Sequence, residues 1–183
     1  KQKLENSNFK DSRELIKTNS DFGKGIVDFK LTNHLIDNFF QSNKDQVVLM
    51  PGFIASSKDD NTTTLGRGGS DYTAAILANG VNAELLEIWT DVSGMYTANP
   101  RIVHQAQPIA MISYQEAMEL SHFGAKVLYP PTIQPVLEKN IPILIKNTFE
   151  PESEGTMISA LVKSNDNPIK GISHIDKIAL LTL

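Results

Sequence analysis

Apolar positions along this chain change their spacing repeatedly, from helical to strand-like and back, and the changes predict the elements. From Leu31 the apolar residues recur at Leu35, Ile36, Phe39 and Phe40, the spacing of one helix face. His34 falls off that stripe and reads as a solvated side chain. Gln46-Val47-Val48-Leu49-Met50 is a short apolar run closed by Pro51-Gly52, the pattern of a buried strand meeting a turn, and Phe53-Ile54-Ala55-Ser56 continues extended. A polar loop from Ser57 to Thr63 leads into Thr64-Leu65-Gly66-Arg67-Gly68-Gly69-Ser70-Asp71, after which a small apolar helix runs to an Asn79-Gly80 stop. Glu84 to Thr90 is a second strand ending on Asp91. Ser113 and Glu116 form a capping box that opens a helix through Ala117, Leu120 and Ser121; Phe123 to Leu128 breaks and restarts it. Pro130-Pro131 starts a further short helix, and Ile141 to Asn147 is another strand.

The ends of the chain are less regular. Residues 1–12 are polar and aperiodic, Glu14 to Lys17 is a short strand or one turn of helix, and Asn19 to Gly23 carries turn chemistry. Residues 163–170 read as a polar linker, and Ile172 to Leu183 ends in a strand-like run, so a continuation past Leu183 is expected. Strands alternating with helices predict an α/β fold with a mainly parallel sheet covered on both faces.

Composition narrows the class. A chain of 183 residues with 40% hydrophobic and 21% charged residues has the make-up of a soluble globular domain. A net charge of −4 leaves no basic face for nucleic acid or an anionic membrane, so any phosphate is gripped locally. No apolar run approaches the ~20 residues needed to cross a bilayer. Cysteine is absent, which removes thiol chemistry and suits a reducing, cytoplasmic setting. His104, His122 and His174 show no metal-ligand spacing.

Candidate chemistry concentrates at the glycine string. Glycines admit positive φ and close approach of a ligand to the backbone, and a helix N-terminus presents unpaired N–H groups and partial positive charge. Arg67 adds a planar fork for a carboxylate or phosphate. The string matches neither a dinucleotide fingerprint nor a P-loop, and from the residues alone it is either an anion site or a helix capped by Ser70 or Asp71. Asp91 at a strand tip suits a metal or a sugar hydroxyl, or is simply a turn former before Ser93-Gly94. Tyr96, Asn99, Pro100 and Arg101 follow, offering one flat ring and one guanidinium.

Taken together, these strings resemble the aspartate kinases of the amino-acid kinase family. The likeness runs through residues 64–74, through Trp89-Thr90-Asp91-Val92-Ser93-Gly94-Met95-Tyr96-Thr97-Ala98-Asn99-Pro100-Arg101, and through Ile112 to Leu128 with Phe123-Gly124-Ala125-Lys126-Val127. Lys146-Asn147-Thr148-Phe149 and Gly155-Thr156 fit the end of that catalytic domain. The resemblance implies a three-layer αβα sandwich, here truncated: residues 1–160 as the nucleotide-binding C-terminal half of the kinase domain, and 161–183 as a linker with the first strand of an ACT-type regulatory domain. It implies ATP-dependent phosphorylation of the side-chain carboxylate of L-aspartate, with Mg²⁺, in a homo-oligomeric intact protein. By the same likeness Arg67 holds the α-carboxylate with Ser70 nearby, and Asp71 is the catalytic aspartate. Thr90 and Asp91 contact the nucleotide, Tyr96 and Arg101 flank its base and phosphates, and Lys126 with Val127 completes the pocket.

Two local departures stand out: Asn99 where many relatives carry aspartate, and Tyr129-Pro130-Pro131-Thr132 where many read H-P-R-T. A larger one is that the family's K-F-G-G-T-S string and substrate glutamate have no match in this sequence, so the 183 residues alone are expected to be inactive. Three readings compete: part of an aspartate kinase, stand-alone or fused to homoserine dehydrogenase; a kinase of the same fold acting on glutamate or a nucleoside monophosphate; and a non-catalytic nucleotide-binding piece.

Overall fold

The structure, a computed structural model, describes residues 7–43, 47–122, 127–160 and 169–174. In chain order its elements are β1 (Ser7–Phe9), α1 (Ser12–Leu15), β2 (Lys17–Thr18), α2 (Phe29–Gln41), β3 (Val47–Leu49), β4 (Ile54–Ser57), β5 (Thr62–Thr64) and α3 (Gly69–Val81). They continue with β6 (Leu86–Thr90), β7 (Met111–Ser113), α4 (Tyr114–His122), a 3-10 turn at Pro130–Thr132, α5 (Gln134–Leu137), β8 (Ile143–Asn147) and β9 (Thr156–Ser159). The chain divides into two compact units, residues 1–86 with 131–141, and residues 87–130 with 142–183.

In the first unit β1 pairs parallel with β3, β2 pairs parallel with β4, and β4 turns back antiparallel onto β5. The hairpin corrects the sequence reading: Thr62 to Thr64, read within and beside a polar loop, form a strand because Thr63 is fully buried and bonds Thr18, Oγ1 to Oγ1, at 2.7 Å. Leu15, Ile16, Val27, Ile36, Ala55, Leu65 and Ile76 make its core, with Leu35, Phe39 and Phe40 packed on the rim. Helix α2 has the expected apolar stripe, and its N-cap is Asp28, whose carboxylate accepts the Leu31 N–H at 3.2 Å. His34 is exposed, as read from the sequence.

The expected stop at Asn79-Gly80 is displaced. Helix α3 continues to Val81 and is capped by Asn82 in the left-handed conformation, φ 52°. Gly80 serves packing instead, since a Cβ there would lie 2.7 Å from Ile36 Cγ2, so it lets α2 and α3 approach closely. Asn79, buried inside α3, donates to the Pro135 carbonyl at 2.5 Å and so anchors α5.

The second unit holds a four-stranded sheet in the order β6-β8-β9-β7, with β7 parallel and β8 antiparallel to β9. Its β7 was not anticipated, being three residues long with Met111 and Ser113 off the buried face. Ile88, Met95, Ile109, Ile112, Ile143, Ile145 and Ile158 are buried there. The capping box is present: Glu116 Oε2 accepts the Ser113 N–H at 2.9 Å while Ser113 Oγ accepts the Glu116 N–H at 3.2 Å. The terminal strand-like run beyond residue 174 lies outside the described residues.

Candidate functional site

The sequence-predicted residues fall in both units, and each set is built differently. In the first unit the turn between β5 and α3 has Gly66 at φ 72° and Gly68 at φ 68°, a backbone path that costs an ordinary side chain strain. Gly68 is itself the N-cap of α3, with no side chain capping the helix. Ser70 and Asp71 therefore lie inside the first turn, and the reading of either as the cap is excluded. Arg67 and Ser70 are exposed, while Asp71 is half-buried.

Burial pushes the Asp71 carboxyl above the usual carboxylate range, because ionising it there forfeits part of its hydration. A position in the first helical turn favours the charged form, so the two influences oppose each other. A carboxylate kept short of water at a helix start is suited to a cationic partner.

Sequence reasoning missed Phe53. It expected an extended residue, but Phe53 adopts φ 76° and stays 42% exposed. The unusual conformation is held from both sides: the Phe53 N–H donates to Thr73 Oγ1 at 2.9 Å, and the Leu65 N–H donates to the Phe53 carbonyl at 2.9 Å. Phe53 lies over the helix start so closely that a Cβ on Gly69 would sit 2.6 Å from its ring. A Cβ on Gly52 would likewise lie 3.0 Å from the Ser70 Cα. Strain of this kind in a bulky residue persists only where surroundings over-determine it, and marks a candidate site. Pro51-Gly52 signalled a turn, but no pattern in the sequence marks the residue after it as left-handed.

In the second unit Thr90 ends β6 and its carbonyl accepts the Thr148 N–H at 2.8 Å, while its hydroxyl donates to Asp91 Oδ1 at 3.2 Å. Asp91 is exposed. The turn that follows is tied down by a chain of polar groups. Asn147 Nδ2 donates to Ser93 Oγ at 2.8 Å, and Ser93 Oγ donates to Glu150 Oε2 at 2.7 Å. Gly94, φ 105°, leaves room for Thr156, whose Oγ1 would be 2.3 Å from a Cβ at that position. Thr156 is fully buried; its hydroxyl accepts the Met95 N–H at 2.8 Å and donates to the Ile109 carbonyl at 2.6 Å. Thr156 thereby joins both ends of the loop that carries Tyr96 and Arg101.

Within that loop Tyr96 bridges to Pro108, and the Arg101 N–H donates to Asn99 Oδ1 at 3.0 Å. The second contact accounts for Asn99: its side-chain oxygen closes the turn as an aspartate oxygen would, without the charge. Trp89, the only tryptophan, is 47% exposed one residue before Thr90, with the Lys146 ammonium 5.7 Å from its ring centre. Val127 is half-buried, and Lys126 lies outside the described residues.

No helix among the described residues is long and apolar enough to cross a membrane, and none of their His, Asp and Glu side chains form a group of three or more that could hold a metal ion.

A glycine turn opening a helix, followed by a strand tip with Thr-Asp and a Tyr-to-Arg loop, defines the class. Residues 9–147 match the model of the amino acid kinase family, and the chain belongs to that family. It is 44% identical over 93% of its length to the bifunctional aspartokinase/homoserine dehydrogenase of Buchnera aphidicola, of which it spans 21%. Among solved structures it is similar to Escherichia coli aspartokinase III in complex with aspartate and ADP, with a TM-score of 0.80 and 39% identity over 86% of this chain and 35% of that one. Aspartate kinase from Clostridium acetobutylicum gives a TM-score of 0.82 at 40% identity, over 91% of this chain and 37% of the other. These likenesses bear out the expected α/β kinase fold and the aspartokinase resemblance.

Proposed function

We propose that this chain forms part of an aspartokinase, transferring the γ-phosphoryl group of MgATP to the side-chain carboxylate of L-aspartate. The observation that carries the reading is the 39% identity and TM-score of 0.80 to an aspartokinase solved with aspartate and ADP. The chain spans about a fifth of the length of the curated relative above, so the activity belongs to the longer protein, acting as a homo-oligomer.

In this reading Arg67 grips the α-carboxylate of aspartate through its guanidinium fork, with Ser70 on the same ligand. Thr90 and Asp91 contact the nucleotide, Tyr96 and Arg101 flank its base and phosphates, and Lys126 with Val127 closes the pocket. A side-chain carboxylate oxygen attacks the γ-phosphorus, the bond to the β,γ-bridging oxygen breaks, and ADP leaves with that electron pair. The nucleophile is already an anion, so no general base is needed. Asp71 instead orients the cationic groups around the transferring phosphoryl, a role that fits a half-buried carboxylate held above its usual range. Mg²⁺ bound with the nucleotide would neutralise charge on the ATP phosphates, and Asp71 is a carboxylate that could face it.

The test is a coupled ADP-release assay on the full-length protein with aspartate and with glutamate. Aspartate-dependent turnover is expected; turnover with glutamate alone overturns the assignment. The 183 residues by themselves lack the lysine string that the family resemblance requires and are expected to show no turnover.

A further inference from the structure

Residues 169–172 begin within a stretch that reads as a linker, yet in the second unit they are docked on α4 and on Thr97, next to Tyr96. The Lys170 ammonium lies 2.9 Å from Glu116 Oε1 and donates to Oε2 at 3.0 Å. Gly171 rests on α4, where a Cβ would meet both δ-methyls of Leu120 at 3.3 Å. The Ile172 N–H donates to the Thr97 carbonyl at 2.8 Å. Thr97 is held from its other side as well: its N–H donates to the Gln107 carbonyl at 2.9 Å, and its Oγ1 accepts the Gln107 N–H at 3.0 Å. The loop carrying Tyr96 and Arg101 is thus fixed along one edge by its own return and along the other by residues more than 70 positions away.

Lys170 is the anchor of that second edge. Glu116 already accepts the Ser113 N–H and hydroxyl at the start of α4, so its carboxylate has a fixed position when Lys170 reaches it. With side chains 21% and 37% exposed the pair is partly shielded, and its carboxylate is already held by Ser113, which sets it apart from an ordinary surface bridge of near-zero effect. Fixing residue 170 fixes the register in which residue 172 meets Thr97.

We propose that Ile169–Ile172 is a strap that positions the nucleotide loop, with Lys170 as its positioning residue. The proposal rests on the reading of Tyr96 and Arg101 as nucleotide contacts, and it makes nucleotide affinity respond to any force that moves residue 172. Lys170 itself need not touch ATP.

The test compares Lys170→Met, Lys170→Arg, Glu116→Gln and the Lys170→Met/Glu116→Gln double variant in the full-length protein. It reads KM for MgATP, KM for aspartate, kcat, and the MgADP dissociation constant from Trp89 fluorescence. Lys170→Met is expected to weaken MgADP binding and raise KM for MgATP about tenfold, with KM for aspartate and kcat within about twofold. Lys170→Arg is expected to restore binding, and the double variant to be no weaker than Lys170→Met, since glutamine keeps an acceptor for Ser113 and loses only the charge that Lys170 meets. An unchanged MgADP constant in Lys170→Met, an equal rise in both KM values, or failure of Lys170→Arg to rescue overturns the strap. Normal MgADP binding by a wild-type protein that does not phosphorylate aspartate overturns the functional reading and leaves the strap to be judged on the dissociation constants. A wild-type protein that binds no MgADP overturns both.

Discussion

The two sequence-predicted ligand regions are held in place by opposite means. Around Gly66 to Asp71 the path is set mainly by backbone, with left-handed glycines, a helix whose N-cap has no side-chain bond, and Phe53 braced over it through the Thr73 hydroxyl. Around Thr90 to Arg101 the path is set by side chains: Thr156 joins Met95 to Ile109, Asn147 and Glu150 hold Ser93, and Asn99 closes the Arg101 turn. A turn whose path rests mainly on backbone does not use Ser70 or Asp71 as the helix cap. A side-chain-built loop commits its buried hydroxyls and amides to structure and offers the ligand its exposed flanks.

This contrast separates activity from stability in the two regions. Asp71→Asn should show the largest effect, a loss of turnover of about 10³-fold or more in the full-length protein with folding intact, because in the proposed mechanism it removes a charge that acts in the transition state. Near wild-type turnover would return Asp71 to a structural role. Thr156→Val preserves shape but orphans the Met95 N–H and the Ile109 carbonyl, and at about 1–3 kcal/mol for each buried orphan a loss of roughly 2–6 kcal/mol is expected. Denaturant unfolding checks it, and a change below about 0.5 kcal/mol would contradict the role given to Thr156. Gly68→Ala should cost about 1–2 kcal/mol through its positive φ, with a further rise in KM for aspartate as the Arg67 turn shifts.

The smallest effect is the most discriminating. Asp71 titrates above its unfolded value, so the stability associated with it is present below the unfolded pKa and lost as pH rises through the folded one. Asp71→Asn, which cannot ionise, should therefore melt higher than wild type at neutral pH, and the gap should close in acid below about pH 4. A gap of constant size would show that the helix dipole offsets desolvation at this carboxylate, and a variant less stable at pH 7 that it outweighs desolvation.

Much of the fold was legible because local signals agreed with the tertiary result. The α2 stripe, the Ser113–Glu116 box and the strands ending at Thr90 and Asn147 rest on periodicity and caps within a few residues of one another. The misreadings share a different cause. Gly80 looked like a stop and is a packing site beneath Ile36; Thr62 to Thr64 looked like loop and form a strand because Thr18 supplies a buried hydroxyl partner. Phe53 looked extended and is left-handed because Thr73 and Leu65 bond its backbone.

What the amino-acid order determined by itself was chemistry: which residues could grip an anion, where glycine was needed, and which family the strings resemble. What only the tertiary structure decided was commitment. Asp71 ceased to be a cap candidate once Gly68 took that place, Thr156 became the join of the loop around Tyr96 and Arg101, and Lys170 left the linker for Glu116. The physical reason is that a hydrogen bond or ion pair between residues 50 or more positions apart depends on the whole chain path, and no local pattern encodes that path.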